Sequence, residues 1–292
     1  MAVGTVGRTH ICRLARFGLT TTHGDRLAAF YESAFGFRRL ADEQLSTVGF
    51  ATLMGVEGGA QRITLGLGQE IVELLQFHSP GRPYPRESTS ADIVFQHFAI
   101  VVANIDAAYQ RLSTVGGWTA ISTGGPQRLP ATSGGVSAFK FRDPDGHPLE
   151  LLAFAQANVP PRWRGDAGGD LFLGIDHSAI SVRDSTRSIS FYEGLGFKVA
   201  ARSLNNGPEQ ERLDGIHDPR VEVTALASRE VTAHVELLCY RSVTHGTGVI
   251  LRNNDIAATR LVLETCDVPG TPTESVVGRC VLDPDGHHLL IV

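Results

Sequence analysis

The period of hydrophobic and polar positions changes repeatedly along this 292-residue chain. Short apolar runs rich in β-branched residues, such as His97-Phe98-Ala99-Ile100-Val101-Val102, predict strands. Ile105 to Leu112 and Asp184 to Tyr192 place apolar residues three and four apart, which predicts amphipathic helices. Gly-containing and Asp-Pro-Asp-Gly segments punctuate the strands as turns. A strand, a helix and then two or three strands make a βαβββ module, and that order recurs.

The recurrence is legible residue by residue. Asp143-Pro144-Asp145-Gly146-His147 returns as Asp283-Pro284-Asp285-Gly286-His287, 140 residues later. Phe30-Tyr31-Glu32 before Phe35-Gly36-Phe37 matches Phe191-Tyr192-Glu193 before Leu195-Gly196-Phe197. The run from Val72 to Phe77 matches that from Val235 to Tyr240, and Asn104-Ile105-Asp106-Ala107-Ala108 is set against Asn254-Asp255-Ile256-Ala257-Ala258. Four modules follow, at 8–78, 93–155, 171–241 and 245–292. One module cannot bury its sheet face alone, so modules pair. The expected architecture is α+β, with four βαβββ modules paired into two open, highly curved mixed β-sheets and helices outside. An N-terminal domain spans 1–155 and a C-terminal domain 171–292. The linker is 156–170, with Pro160-Pro161 and Gly165, Gly168 and Gly169.

Composition narrows the function. A hydrophobic content of 42% supports real cores, and a net charge of −5 leaves no basic footprint for nucleic acid. No apolar run approaches the roughly 20 residues of a membrane span. Met1 to His10 lacks the apolar stretch of a signal peptide. Cys12, Cys239, Cys266 and Cys280 have neither paired spacing nor density, so a cytoplasmic setting is expected. There is no Ser-His-Asp, Cys-His, Rossmann or P-loop signature. A small-molecule partner and a monomer or homodimer are expected, since four modules in one chain can complete their own sites.

An opening-strand His, a Phe-Tyr…Gly-Phe helix end and an Asp-Pro-Asp-Gly-His turn before a Glu-bearing strand resemble the vicinal oxygen chelate superfamily. That group includes glyoxalase I, methylmalonyl-CoA epimerase, extradiol dioxygenases and antibiotic-resistance proteins. The resemblance covers nearly the whole chain. It implies metal ligands from the first and last strands of paired modules, one His or Glu from each.

The modules are unequal in those positions. The second offers His97 and Glu150, and the third His177 and Glu236. Ala99 and Val101 share the face of His97, and Ala179 and Ser181 that of His177. A carboxylate inside Leu149-Glu150-Leu151-Leu152 needs a partner if buried, and a divalent cation is one such partner. The first module has Glu73 but Arg16 at the His position. The fourth, aligned through its helix, has Gly246 there, with His245 adjacent, and Leu290 in place of Glu150. If neighbouring modules pair, the sites are Glu73/His97/Glu150 and His177/Glu236. If the middle modules pair and the outer modules pair, His97, Glu150, His177 and Glu236 form one site. The second arrangement concentrates every intact ligand pair, and only Glu73 counts against it.

The resemblance then implies one divalent metal ion (Zn, Ni, Co, Fe or Mn) on His97, Glu150, His177 and Glu236. Glu150 and Glu236 are the catalytic proton carriers of a glyoxalase-type lyase or isomerase acting through an enediolate. The alternatives are an Fe(II) extradiol-type dioxygenase and a metal-free small-molecule binding or resistance protein. Candidate substrate contacts are Arg16 and Glu73, which a plain salt bridge would also explain, and Asn205, Gln210 and Arg212. The last three sit in the polar run 205–215, either an exposed loop or the mouth of the third module. His147 and His287 are expected to serve turns and packing, and His23 and His288 to face solvent.

Overall fold

The structure, a computed structural model, describes residues 10–164, 169–242, 250–266 and 278–292. The first module holds β1 (Ile11–Thr20), α1 (Gly24–Phe35), β2 (Arg38–Leu45), α2 (Val48–Met54), β3 (Ala60–Leu67) and β4 (Glu70–Phe77). The second holds β5 (Gln96–Val102), α3 (Ile105–Ser113), β6 (Thr119–Ala120), β7 (Gln127–Arg128), β8 (Ser137–Arg142) and β9 (Pro148–Ala153). The third holds β10 (Phe172–Ser181), α4 (Ser185–Gly194), β11 (Lys198–Asn206), α5 (Pro208–Asp214), β12 (Arg220–Ala227) and β13 (His234–Tyr240). The fourth holds β14 (Arg260–Thr265), β15 (Arg279–Leu282) and β16 (His288–Ile291). Caps mark the predicted helices: the Asn104 side chain accepts from the Ala107 amide, and Asp184 from Thr186 and Arg187.

Two open mixed sheets result. One runs β15-β16-β14-β1-β4-β3-β2, and the other β11-β12-β13-β10-β5-β9-β8-β6 with β7 on β8. The outer modules therefore share one sheet and the middle modules the other, joined through antiparallel β1–β14 and β10–β5 pairs. A continuous apolar core draws Phe17, Leu74 and Leu261 from the first sheet and Phe98, Ile180 and Leu237 from the second. Tyr31 and Phe35 of α1 and Tyr192 of α4 pack into it.

Neighbouring modules are tied by their Asp-Pro-Asp-Gly-His turns instead. Tyr31 donates its hydroxyl proton to Asp143 at 3.0 Å, and His147 Nε2 lies 3.0 Å from the Thr20 carbonyl. In the other half Tyr192 donates to Asp283, and His287 Nε2 lies 2.8 Å from the Ser181 carbonyl. Strand pairing and turn docking thus link different pairs of modules, which is why sequence spacing alone left two pairings open.

Four expectations are corrected. Asn254–Ala258 is a turn segment ahead of β14, not a helix after a strand. Residues 205–215 are not an exposed loop: they contain α5, with Pro208 at its first turn and Gly215 as left-handed C-cap. His288 is buried at 5% exposure. Cys12 and Cys266 form a disulfide across β1 and the end of β14. Their pairing follows from strand register, which residue spacing cannot report. The candidates His245 and Gly246, and linker residues Gly165 and Gly168, lie outside the described residues. Among the described residues no helix is long and apolar enough to cross a membrane.

Candidate metal centre

Alternation along β5 sends Phe98, Ile100 and Val102 into the core and His97 to the opposite face of the sheet. β10 does the same with His177, and β9 and β13 deliver Glu150 and Glu236 beside them. A cavity of about 370 Å³ opens over this face and is lined by all four residues. That volume suits a small organic ligand. Leu152, Leu238 and Tyr240 form part of its walls, and Asn205 and Gln210 line it as well.

The ligand atoms of His97, Glu150 and His177 lie within 4.8 Å of one another. Ligands sharing an ion through bonds of about 2.1 Å stand roughly 3–4 Å apart, so a small contraction closes the set. His97 Nε2 is 2.9 Å from Glu150 Oε2, yet neither ring nitrogen of His97 has a hydrogen bond of acceptable geometry. Burial pushes the His97 pKa down despite Glu150, favouring the neutral ring. A buried, neutral imidazole with no well-formed hydrogen bond, set beside an ionised carboxylate and a second imidazole, is a donor set that fits a divalent cation. Glu236 stands slightly apart, with Oε2 3.6 Å from His177 Nε2 and Oε1 3.4 Å from His234 Nε2.

The electrostatics run through these groups together. Burial opposes ionisation of Glu150, but His97 and Lys140 hold its pKa below the ordinary value. Burial likewise opposes Glu236, which His177 and His234 bring down to about 2. His177 is raised to about 9: burial works against its charge, and Glu236 and Asp176 outweigh it.

Sequence reasoning missed several residues here. Lys140 lines the cavity, pairs directly across from Glu150 and places Nζ 2.7 Å from Asp214. Its signal was a lone cation inside Phe139-Lys140-Phe141. His234 shares the Glu236 face at a spacing of two, which the His-Val-Glu order exposed. Asp176 and Tyr240 carried no comparable signal. Arg212 does not line the cavity; its Nε donates to Gln127 at 2.6 Å.

Arg16 and Glu73 lie in the other sheet, with Arg16 Nε 3.0 Å from Glu73 Oε1. Register identifies the counterparts there. Gly18 faces Glu73 and Arg260 as Ala179 faces Glu236 and His97. Leu290 lies beside Val262 as Glu150 lies beside Ala99. The counterpart of His97 is therefore Arg260, not Gly246. The sequence carried this too, because Asp255-Ile256…Arg260 repeats the spacing of Asp92-Ile93…His97. Arg260 is buried at 1% exposure, and Met54, Phe77 and Leu290 pack together on that face. A cleft of about 760 Å³ near the β3–β4 turn holds none of the four predicted ligands.

The sequence pattern that defines the Glyoxalase/Bleomycin resistance protein/Dioxygenase superfamily matches residues 13–151 and again 174–291. Among solved structures, glyoxalase I from Zea mays superposes with a TM-score of 0.58 at 18% identity, over 97% of this chain and 92% of that one. A Bacillus subtilis protein described as a candidate dioxygenase superposes at 0.54 and 12% identity, over 97% and 85%. At these identities the likeness is one of fold. No curated protein matches the sequence.

Proposed function

The chain belongs to the Glyoxalase/Bleomycin resistance protein/Dioxygenase superfamily, and on that premise we propose that the nine-stranded sheet binds one divalent cation and performs lyase- or isomerase-type proton transfer on a small oxygenated substrate. His97, Glu150 and His177 would hold the ion, with Glu236 as the fourth ligand or as a free carboxylate beside it. The observation that carries this reading is the buried His97 ring 2.9 Å from the Glu150 carboxylate, with no hydrogen bond of acceptable geometry on either ring nitrogen. When bound, such a cation acts as a Lewis acid on two adjacent substrate oxygens and acidifies the neighbouring C–H.

The side chains supply the remainder. Glu236, near His177 and His234 but outside the tight set, is the carboxylate left free to accept a proton. Glu150, held between His97 and Lys140, is the less mobile of the two. Lys140 sets positive charge beside the cavity, and Gln210 and Asn205 offer polar contacts to the substrate.

Elemental analysis tests the reading. The wild-type protein should carry one Zn, Ni, Co, Fe or Mn per chain, and His97→Ala and His177→Ala should each lose it. Full occupancy in both variants overturns the shared site. A second reading is kept by one observation: His97, His177 and Glu150 are two imidazoles and one carboxylate, the donor set of non-haem Fe(II) oxygenases. Oxygen uptake by iron-loaded protein with catechols would favour dioxygenase chemistry, and its absence would favour proton transfer.

A further inference from the structure

Strict alternation would send Asp176 and His177 to opposite faces of β10. They meet because β10 is bulged: Ile175 pairs with Ile100 and His177 with Ala99, leaving Asp176 as the extra residue. Asp176 Oδ2 then lies 3.1 Å from His177 Nδ1. Its other oxygen, Oδ1, accepts the indole N–H of Trp163 at 2.8 Å.

The neighbouring contacts hold that arrangement. Trp163 ends the short helical turn Pro161–Trp163, and Arg162 within it pairs with Glu70 at the start of β4. Glu70 Oε2 also accepts the Ile175 amide at 2.9 Å, beside the bulge. A Cβ on Gly174 would run into the Glu70 carboxylate and crowd the Trp163 ring, so any larger residue there would displace this contact. The segment between the halves is thus docked where it can reach the carboxylate behind His177.

The other sheet provides an internal comparison. β1 has a register shift at the same place, between Leu14 and Arg16. The bulge residue there is Ala15, and Arg16 follows it in place of His. The fold keeps the bulge in both halves, whereas the carboxylate accompanies the imidazole alone.

We infer that Trp163 and Asp176 are positioning residues that orient the His177 ring, Asp176 accepting from Nδ1 so that Nε2 faces the cavity and supplies its lone pair once a cation displaces its proton. This rests on the proposed cation site. Supporting carboxylates of this kind change metal affinity by about 10–100-fold. Asn at 176 can turn its NH₂ toward Nδ1, which favours the tautomer protonated on Nε2 and blocks it as a ligand.

The test is Zn²⁺ affinity of the full chain, stripped of metal and titrated against a chromophoric chelator. Asp176→Asn should bind Zn²⁺ about 10–100-fold more weakly at an unchanged stoichiometry of one. Trp163→Phe, which keeps the ring and loses the N–H, should shift affinity in the same direction by less. In a Trp118→Phe background, Zn²⁺ should change the fluorescence of Trp163. Undiminished affinity in both variants, with wild type binding normally, overturns the positioning role alone. Failure of wild type to bind overturns the cation site and this inference together. Two Zn²⁺ per chain, one lost in Asp176→Asn, would assign Asp176, His177 and His234 to an ion of their own and overturn it as well.

Discussion

Lys140 keeps its charge in a fully buried position because Asp214 is 2.7 Å away and Glu150 lies across the strand pair. Asp214 also accepts from Gln210 at 2.7 Å and from Tyr240 at 3.1 Å. Replacing Asp214 with Ala removes the carboxylate in contact with the ammonium and leaves it only the more distant Glu150. The expected cost is about 3–5 kcal/mol, read as a lower urea midpoint. An unchanged midpoint would show that the pair carries no stability. His288 is the opposite case, a ring kept neutral. Burial, with Arg260 adding to it, pushes its pKa down to about 4, and Nε2 is unpartnered. Its contribution is complete above the unfolded pKa near 6.5 and is lost as pH falls toward 4. The loss should reach about 3 kcal/mol, and His288→Gln should flatten the urea midpoint across that window.

Among the elements, the two Asp-Pro-Asp-Gly-His turns share a sequence and differ in load. Asp143 accepts from the amides of Asp145 and His147, from the Tyr31 hydroxyl and from His147 Nδ1. Asp283 accepts from the corresponding amides and from Tyr192 at 3.3 Å. Asp143→Ala should therefore cost about 3 kcal/mol and Asp283→Ala distinctly less, by chemical denaturation. Equal losses would make the buried His147–Asp143 contact neutral. The turns and the helices α3 and α4 were legible because local residues specify them. The helix α5 was hidden by its polarity: Pro208-Glu209-Gln210-Glu211-Arg212-Leu213-Asp214 shows few apolar positions, yet Gln210, Leu213 and Asp214 are buried by the facing module. Gly207-Pro208 and Gly215 were the boundary signals available.

At the scale of the molecule, the Cys12–Cys266 disulfide closes a separation of 254 residues and joins the first module to the fourth. Reduction should destabilise the protein by about 2–5 kcal/mol and lower the melting temperature by several degrees. Thiol titration of the unfolded chain should find two free groups, Cys239 and Cys280, before reduction and four after. The metal stoichiometry should persist, since the candidate ligands all lie in the other sheet. Four free thiols in the untreated protein would remove the bridge.

The residue pattern on its own determined the repeat, the α+β class and the two pairs of ligand-type residues, because periodicity, turn chemistry and residue type are local properties. Tertiary structure alone decided that the middle modules share a sheet, and so that His97, Glu150 and His177 converge. It alone set Arg260 opposite Gly18, joined Cys12 to Cys266 and bulged β10 to bring Asp176 to His177. Those outcomes depend on strand register between segments far apart in the chain, where a one-residue slip exchanges the faces of a strand.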